Sequence, residues 1–127
     1  MLTEAQCLFN NSKPSILIID DDIGILRAFR RIFQAKGFDV SVAQTGRQAI
    51  EQINASHFDV ALIDLCLPDM EGTELFPLIQ HDTLKIMISG KALDDIYGAD
   101  ILIGKPIQPD KLLSIIDSKL KDKDIEH

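Results

Sequence analysis

Four polar or charged groups each directly follow a short apolar run. They are Asp20-Asp21-Asp22 after Ile16–Ile19, Asp64 after Val60–Ile63, Ser89-Gly90 after Ile86–Ile88, and Gly104-Lys105-Pro106 after Ile101–Ile103. Any one of them alone is what a helix cap or a solvated turn supplies. Four together describe a site. If Asp20, Asp21 and Asp64 converge, three carboxylates a few ångströms apart repel and raise at least one pKa unless cations offset them. Lys105 contributes one positive charge, and a divalent ion contributes the two that neutrality still lacks. Magnesium suits the set because it favours a few carboxylates, waters and a phosphate oxygen, with manganese as its substitute. A carboxylate beside a metal, an ammonium and a hydroxyl is equipped for phosphoryl transfer onto carboxylate oxygen. Asp64 is then the nucleophile, and the cations hold the equatorial oxygens.

Those groups can act together only if the fold gathers the ends of the apolar runs. Ile16–Ile19, Val40–Ala43, Val60–Ile63, Ile86–Ile88 and Ile101–Ile103 are strand-length and rich in β-branched residues. Their continuous apolarity, in place of alternation, predicts strands covered on both faces, as in a parallel sheet between helical layers. Ile25, Leu26, Phe29, Ile32 and Phe33 make one helical face opposite Arg27, Arg30, Arg31 and Lys36, and Gly37 ends that helix. Ala49, Ile50 and Ile53 mark a second helix from Gly46, and Leu75, Leu78 and Ile79 a third after Gly72. Leu112, Leu113, Ile116 and Leu120 mark the last, opened by Pro109-Asp110. The alternation of strands and helices gives a doubly wound α/β domain with helices on both faces. Pro77 shortens or bends the third helix. The stretch from Ser89 to Gly98 leaves Lys91–Tyr97 room for about two helical turns, a shortened fourth helix. In such sheets ligands bind outside the carboxyl ends of the strands, where all four groups fall.

Residues 1–14, ending in Asn10-Asn11-Ser12-Lys13-Pro14, read as an irregular lead-in, 15–121 as the domain, and 122–127 as a charged, frayed tail. The 127 residues are 46% hydrophobic and 26% charged, enough for one cored domain and unlike a disordered or disulfide-framed chain. A net charge of −7 argues against direct nucleic-acid binding. The apolar runs hold about four residues where a membrane span needs about 20. The acid-bearing stretch Met1–Cys7 does not read as a signal peptide, so the expected location is the cytoplasm. Cys7 and Cys66 form no CxxC pair and read as reduced thiols.

The first-strand acids, the run Ala61-Leu62-Ile63-Asp64-Leu65-Cys66-Leu67-Pro68-Asp69-Met70-Glu71-Gly72, then Ile88-Ser89-Gly90 and Gly104-Lys105-Pro106, together resemble the receiver domain of two-component response regulators. The resemblance covers residues 14 to 121. It implies a flavodoxin-like, five-stranded sheet in the order 2-1-3-4-5, the order the doubly wound chemotaxis receiver exemplifies. It implies that Asp64 accepts a phosphoryl group from a histidine kinase or histidine phosphotransfer domain. It further implies that Asp20, Asp21 and Asp64 hold magnesium with the backbone carbonyl of Cys66, Asp21 being a direct ligand. Ser89 and Lys105 would each pair with a phosphoryl oxygen, the Lys105-Pro106 peptide would be cis, and Gly90 would leave room beside the hydroxyl. A conformational shift would carry the signal onward, a homodimer being one state the resemblance allows.

Leu102 stands where receivers usually carry Tyr or Phe, three positions before the lysine, and the third and fourth connections look shortened. Both departures fall on the surface that reads out phosphorylation, so the chemistry and the output can part company. Two other readings use the same residues. One is a receiver-like interaction module independent of phosphate. The other is a haloacid-dehalogenase-type phosphatase, with Asp20 as nucleophile and Asp22 as acid, which leaves Asp64 and the Leu-Pro-x-Met-x-Gly turn without a role. For Asp22, capping of the first helix competes with any metal role.

Overall fold

A computed structural model of the protein describes residues 13–90 and 98–125, with side chains through Lys121. Five parallel strands, β1 (Ser15–Ile19), β2 (Asp39–Ala43), β3 (Val60–Asp64), β4 (Leu84–Ser89) and β5 (Ile101–Gly104), form one sheet in the order β2-β1-β3-β4-β5. Successive residues of the strands supply two separate cores. Ile16, Ile18, Val60, Leu62, Ile86 and Ile88 face one layer with Leu26, Phe29, Phe33, Leu112 and Ile116. Leu17, Ile19, Ala61, Ile63 and Met87 face the other with Ala49, Ile53, Leu75 and Phe76. Both faces are dry, which is why the runs carry no polar alternation.

Helix α1 (Ile23–Ala35) begins on Asp22, whose Oδ1 accepts the N–H groups of Gly24 at 2.8 Å and Ile25 at 3.3 Å. Gly37 at φ 91° provides the left-handed turn that ends it, and Phe38 N–H returns to Phe33 O at 3.0 Å. Phe33 then sits edge-on between Phe29 and Phe38, at centroid distances of 6.2 and 5.2 Å. Helix α2 (Gly46–Ala55) packs on the opposite face.

The third helical segment is a 3-10 helix, Gly72–Leu78, with Pro77 inside it. Its start is fixed by a reciprocal box in which Glu71 N–H donates to the Glu74 carboxylate at 2.9 Å. The expected shortening is therefore found there. The expected fourth helix at Lys91–Tyr97 and the first twelve residues of the lead-in lie outside the described residues.

Helix α3 (Pro109–Ile125) runs on through Lys121–Asp124, the stretch read from the sequence as a charged tail. No Gly or Pro interrupts 110–125, and Asp117 precedes Lys121 by one helical repeat, the charge order that helices favour.

Candidate functional site

The parallel sheet brings the ends of β1, β3, β4 and β5 to one edge. Asp20 follows β1, Asp64 closes β3, Ser89 closes β4 beside it, and Lys105 follows β5. Backbone bonds hold the ends in step: Asp20 N–H donates to Ala43 O at 3.1 Å, Leu65 N–H to Ile88 O at 2.9 Å, and Lys105 N–H to Ser89 O at 2.8 Å. The Lys105-Pro106 peptide is cis, as the resemblance implied.

Asp20, Asp21 and Asp64 each offer one carboxylate oxygen, and these lie within 4.8 Å of one another. Asp20 and Asp64 are only 3% and 5% exposed, whereas Asp21 is open to solvent. Asp64 Oδ2 meets Lys105 Nζ at 3.4 Å, and its Oδ1 accepts from Cys66 N–H at 3.4 Å. Asp20 Oδ1 takes Asp22 N–H at 2.9 Å. Burial is the main cause that raises the Asp20 carboxyl to about 6; the Asp22 N–H opposes it and the charge of Asp64 adds to it. Among the described residues one ammonium, that of Lys105, thus stands beside three carboxylates, two of them out of water. A hard divalent cation with oxygen preferences meets both the donor set and the charge deficit, so the residues fit magnesium.

Ser89 is buried at 2% exposure, next along β4 from Ile88, the register partner of Asp64. Asp22 does not join the group, since its carboxylate is committed to the α1 N-terminus. That removes the acid from the dehalogenase-type reading. Cys66 is exposed and free, and is paired through an antiparallel bridge with Glu71. Leu102 packs, partly buried, against the α2-side core and pairs in register with Met87.

Two residues of the turn after β3 matter more than their sequence context suggested. A Cβ at Gly72 would collide with the Asp64 carbonyl oxygen, so only glycine lets the returning chain lie against β3, where Gly72 N–H reaches Leu65 O at 2.7 Å. Asp69, an unremarked position within the Leu-Pro-x-Met-x-Gly turn, accepts Gly46 N–H on Oδ1 at 2.7 Å and Arg47 N–H on Oδ2 at 3.0 Å. These bonds hold its carboxyl below the ordinary range. No local signal marks Asp69, because its two donors stand 23 and 22 positions away in the sequence.

The family model for the response regulator receiver domain matches residues 16–117. Among solved structures, a CheY-like response regulator receiver domain protein from Methanospirillum hungatei JF-1 is 37% identical with a TM-score of 0.85, covering 91% of this chain and 100% of that one. The DNA-binding response regulator MtrA of Mycolicibacterium paratuberculosis is 29% identical over 90% of this chain and 54% of its own length. The phosphoglycerate transport system transcriptional regulatory protein PgtA of Salmonella typhimurium is 30% identical over 89% of this chain and 29% of its own. The chain therefore spans about half, or less, of the length of these curated relatives.

Proposed function

The chain belongs to the response regulator receiver domain family, and from that premise we propose that Asp64 is its phosphoacceptor, served by Ser89, Lys105 and a magnesium ion on Asp20, Asp21, Asp64 and the Cys66 carbonyl. The observation that carries this reading is the buried Asp64 carboxylate with Lys105 Nζ at 3.4 Å and two further carboxylates alongside. The phosphodonor is a histidine kinase or histidine phosphotransfer domain, met in the cytoplasm. An Asp64 oxygen attacks phosphorus, the donor's N–P bond breaks as the O–P bond forms, and the departing imidazole regains a proton from solvent. The transition state is loose, so catalysis here is positioning and charge stabilisation. Bound magnesium would supply two positive charges to the phosphoryl oxygens. Lys105 stabilises another of those oxygens, and the Ser89 hydroxyl donates to a third.

The product replaces a single carboxylate charge by about two on the acyl phosphate, with new acceptor oxygens, a local change able to bias a two-state surface. With Leu102 in place of an aromatic ring, the shift reaches the output without a ring swinging inward at that position. Relatives named as DNA-binding and transcriptional regulators support an output in gene control. The net charge of −7 argues against direct DNA contact by these residues.

Intact-protein mass after incubation with a small phosphodonor and magnesium tests the assignment. A gain of one phosphoryl group, absent in Asp64→Ala and absent with a chelator, is the expected result. No gain in the wild type while it binds magnesium would overturn it in favour of the phosphate-independent module.

A further inference from the structure

We infer that Asp69 is a positioning residue for the metal-binding turn, acting by clasping that turn to the N-terminus of α2. The inference rests on the magnesium reading above and goes beyond it, to a residue that touches neither metal nor phosphoryl group. Residues 66–71 reverse the chain: Cys66 and Glu71 bridge antiparallel at the base, and Leu67 N–H donates to Met70 O at 3.2 Å within the loop. The base is tied to β3 through Gly72, whose N–H reaches Leu65 O and which lies against the Asp64 carbonyl. Leu67 and Met70 pack, partly buried, against the α2-side core, with Met70 beside Gly46; a polar anchor at the tip is what the base does not supply.

Asp69 supplies the second anchor. Its two oxygens take the N–H groups of Gly46 and Arg47, across 23 and 22 positions of sequence. Thr45 Oγ1 already takes Gln48 N–H at 3.1 Å, so three N–H groups at the helix start are satisfied, two of them from the turn. A carboxylate also suits the positive end of the helix dipole. The loop that carries the Cys66 carbonyl is thereby held at both ends, and metal affinity depends on such outer supports.

The test compares wild type, Asp69→Ala and Asp69→Asn as full chains. Titration calorimetry with magnesium alone gives affinity, and amide exchange at 46, 47 and 65–72 reports the clasp. Phosphorylation by a small donor is followed across magnesium concentrations. Asp69→Ala is expected to weaken magnesium about tenfold, to speed exchange at 46 and 47, and to recover most of its maximal rate at saturating magnesium. Asp69→Asn, keeping one acceptor, falls between. Faster exchange at 46 and 47 with unchanged magnesium affinity would overturn the inference while leaving the phosphoacceptor reading intact. A wild type that binds no magnesium would overturn both. An unfolded Asp69→Ala leaves the same comparison to Asp69→Asn, where full wild-type affinity with a loosened clasp overturns the inference.

Discussion

At the N-terminal end of the sheet, Asp59 accepts Ser15 N–H at 2.8 Å and the Ser15 hydroxyl at 3.2 Å, and Asp100 accepts Lys85 N–H at 2.8 Å. Asp82 meets His57 Nε2 at 3.1 Å. At the C-terminal end, Asp20, Asp21 and Asp64 crowd within 4.8 Å of one another, with Lys105 Nζ 3.4 Å from Asp64. The residue type is the same and the surroundings are opposite. An acid just before a parallel strand can accept the first free N–H of a neighbouring strand, so it satisfies a donor that folding would otherwise strand. An acid at the far end of a strand finds its neighbours' N–H groups already paired and takes backbone N–H only within its own turn, as Asp20 does from Asp22 and Asp64 from Cys66. Acids at the first end complete the fold. Those at the second oppose each other, a tension that a bound cation would relieve.

Removing a charge from the crowded end should therefore stabilise the metal-free protein, the largest effect expected from this contrast. Asp20 is raised from 3.8 to about 6 in the folded state, chiefly by burial. A raised folded pKa means that the folded protein holds this proton more tightly than the unfolded chain. The stability it lends is complete below about pH 4 and is lost as pH rises through about 6. Asp20→Asn keeps an acceptor for Asp22 N–H and does not titrate. In urea unfolding with a chelator at pH 8, it should exceed wild type by roughly 1–3 kcal/mol, the gap closing near pH 4. The same variant should bind magnesium at least about tenfold more weakly. A variant less stable than wild type at pH 8 would show that the buried charge is not strained.

The contrast also explains what could be read in advance. The site motifs announce themselves because each interrupts an apolar run, buried on both faces at β1, β3 and β4, as Asp64 does after Val60–Ile63, and partly buried at β5. Strand β4 is harder to delimit, since Lys85 breaks its run; the chain accommodates it by turning Nζ back to the carbonyls of Thr83 at 3.0 Å and His81 at 3.4 Å. Asp59 and Asp69 were illegible for another reason. Each bonds backbone donors far along the chain, and a lone acid in a polar turn looks the same whether or not such a donor is near. Asp22 lay between: its cap could be weighed from sequence because its donors are two and three residues away. The extent of α3 follows from a run with no Gly or Pro after Pro109, which the apolar pattern ending at Leu120 does not mark.

Asp59→Ala strikes the other end of the sheet. It strips Ser15 of its N–H partner and leaves the start of β1 tied to this loop by Asp59 N–H to Ser15 O at 2.9 Å and to Ser15 Oγ at 3.1 Å. A loss of about 1–2 kcal/mol is expected in urea unfolding, with the rate of phosphoryl gain unchanged. A slower rate at unaltered stability would mean that the two ends are coupled and the division between them is false.

The smallest effect is expected where an acid at the N-terminal end meets an exposed side chain in water. His57 lies in the connection between α2 and β3, and its ring reaches both oxygens of Asp82 at 3.1 Å. The two side chains are 44% and 68% exposed. Neither partner is withdrawn from solvent, so the geometry is good and the gain over hydration small. His57→Ala should change urea stability by no more than about 0.5 kcal/mol. Whatever remains should shrink in high salt, because screening acts fully on exposed pairs. A loss as large as that of Asp59→Ala would show that this pair, and not only the carboxylates on backbone N–H groups, holds the N-terminal end together.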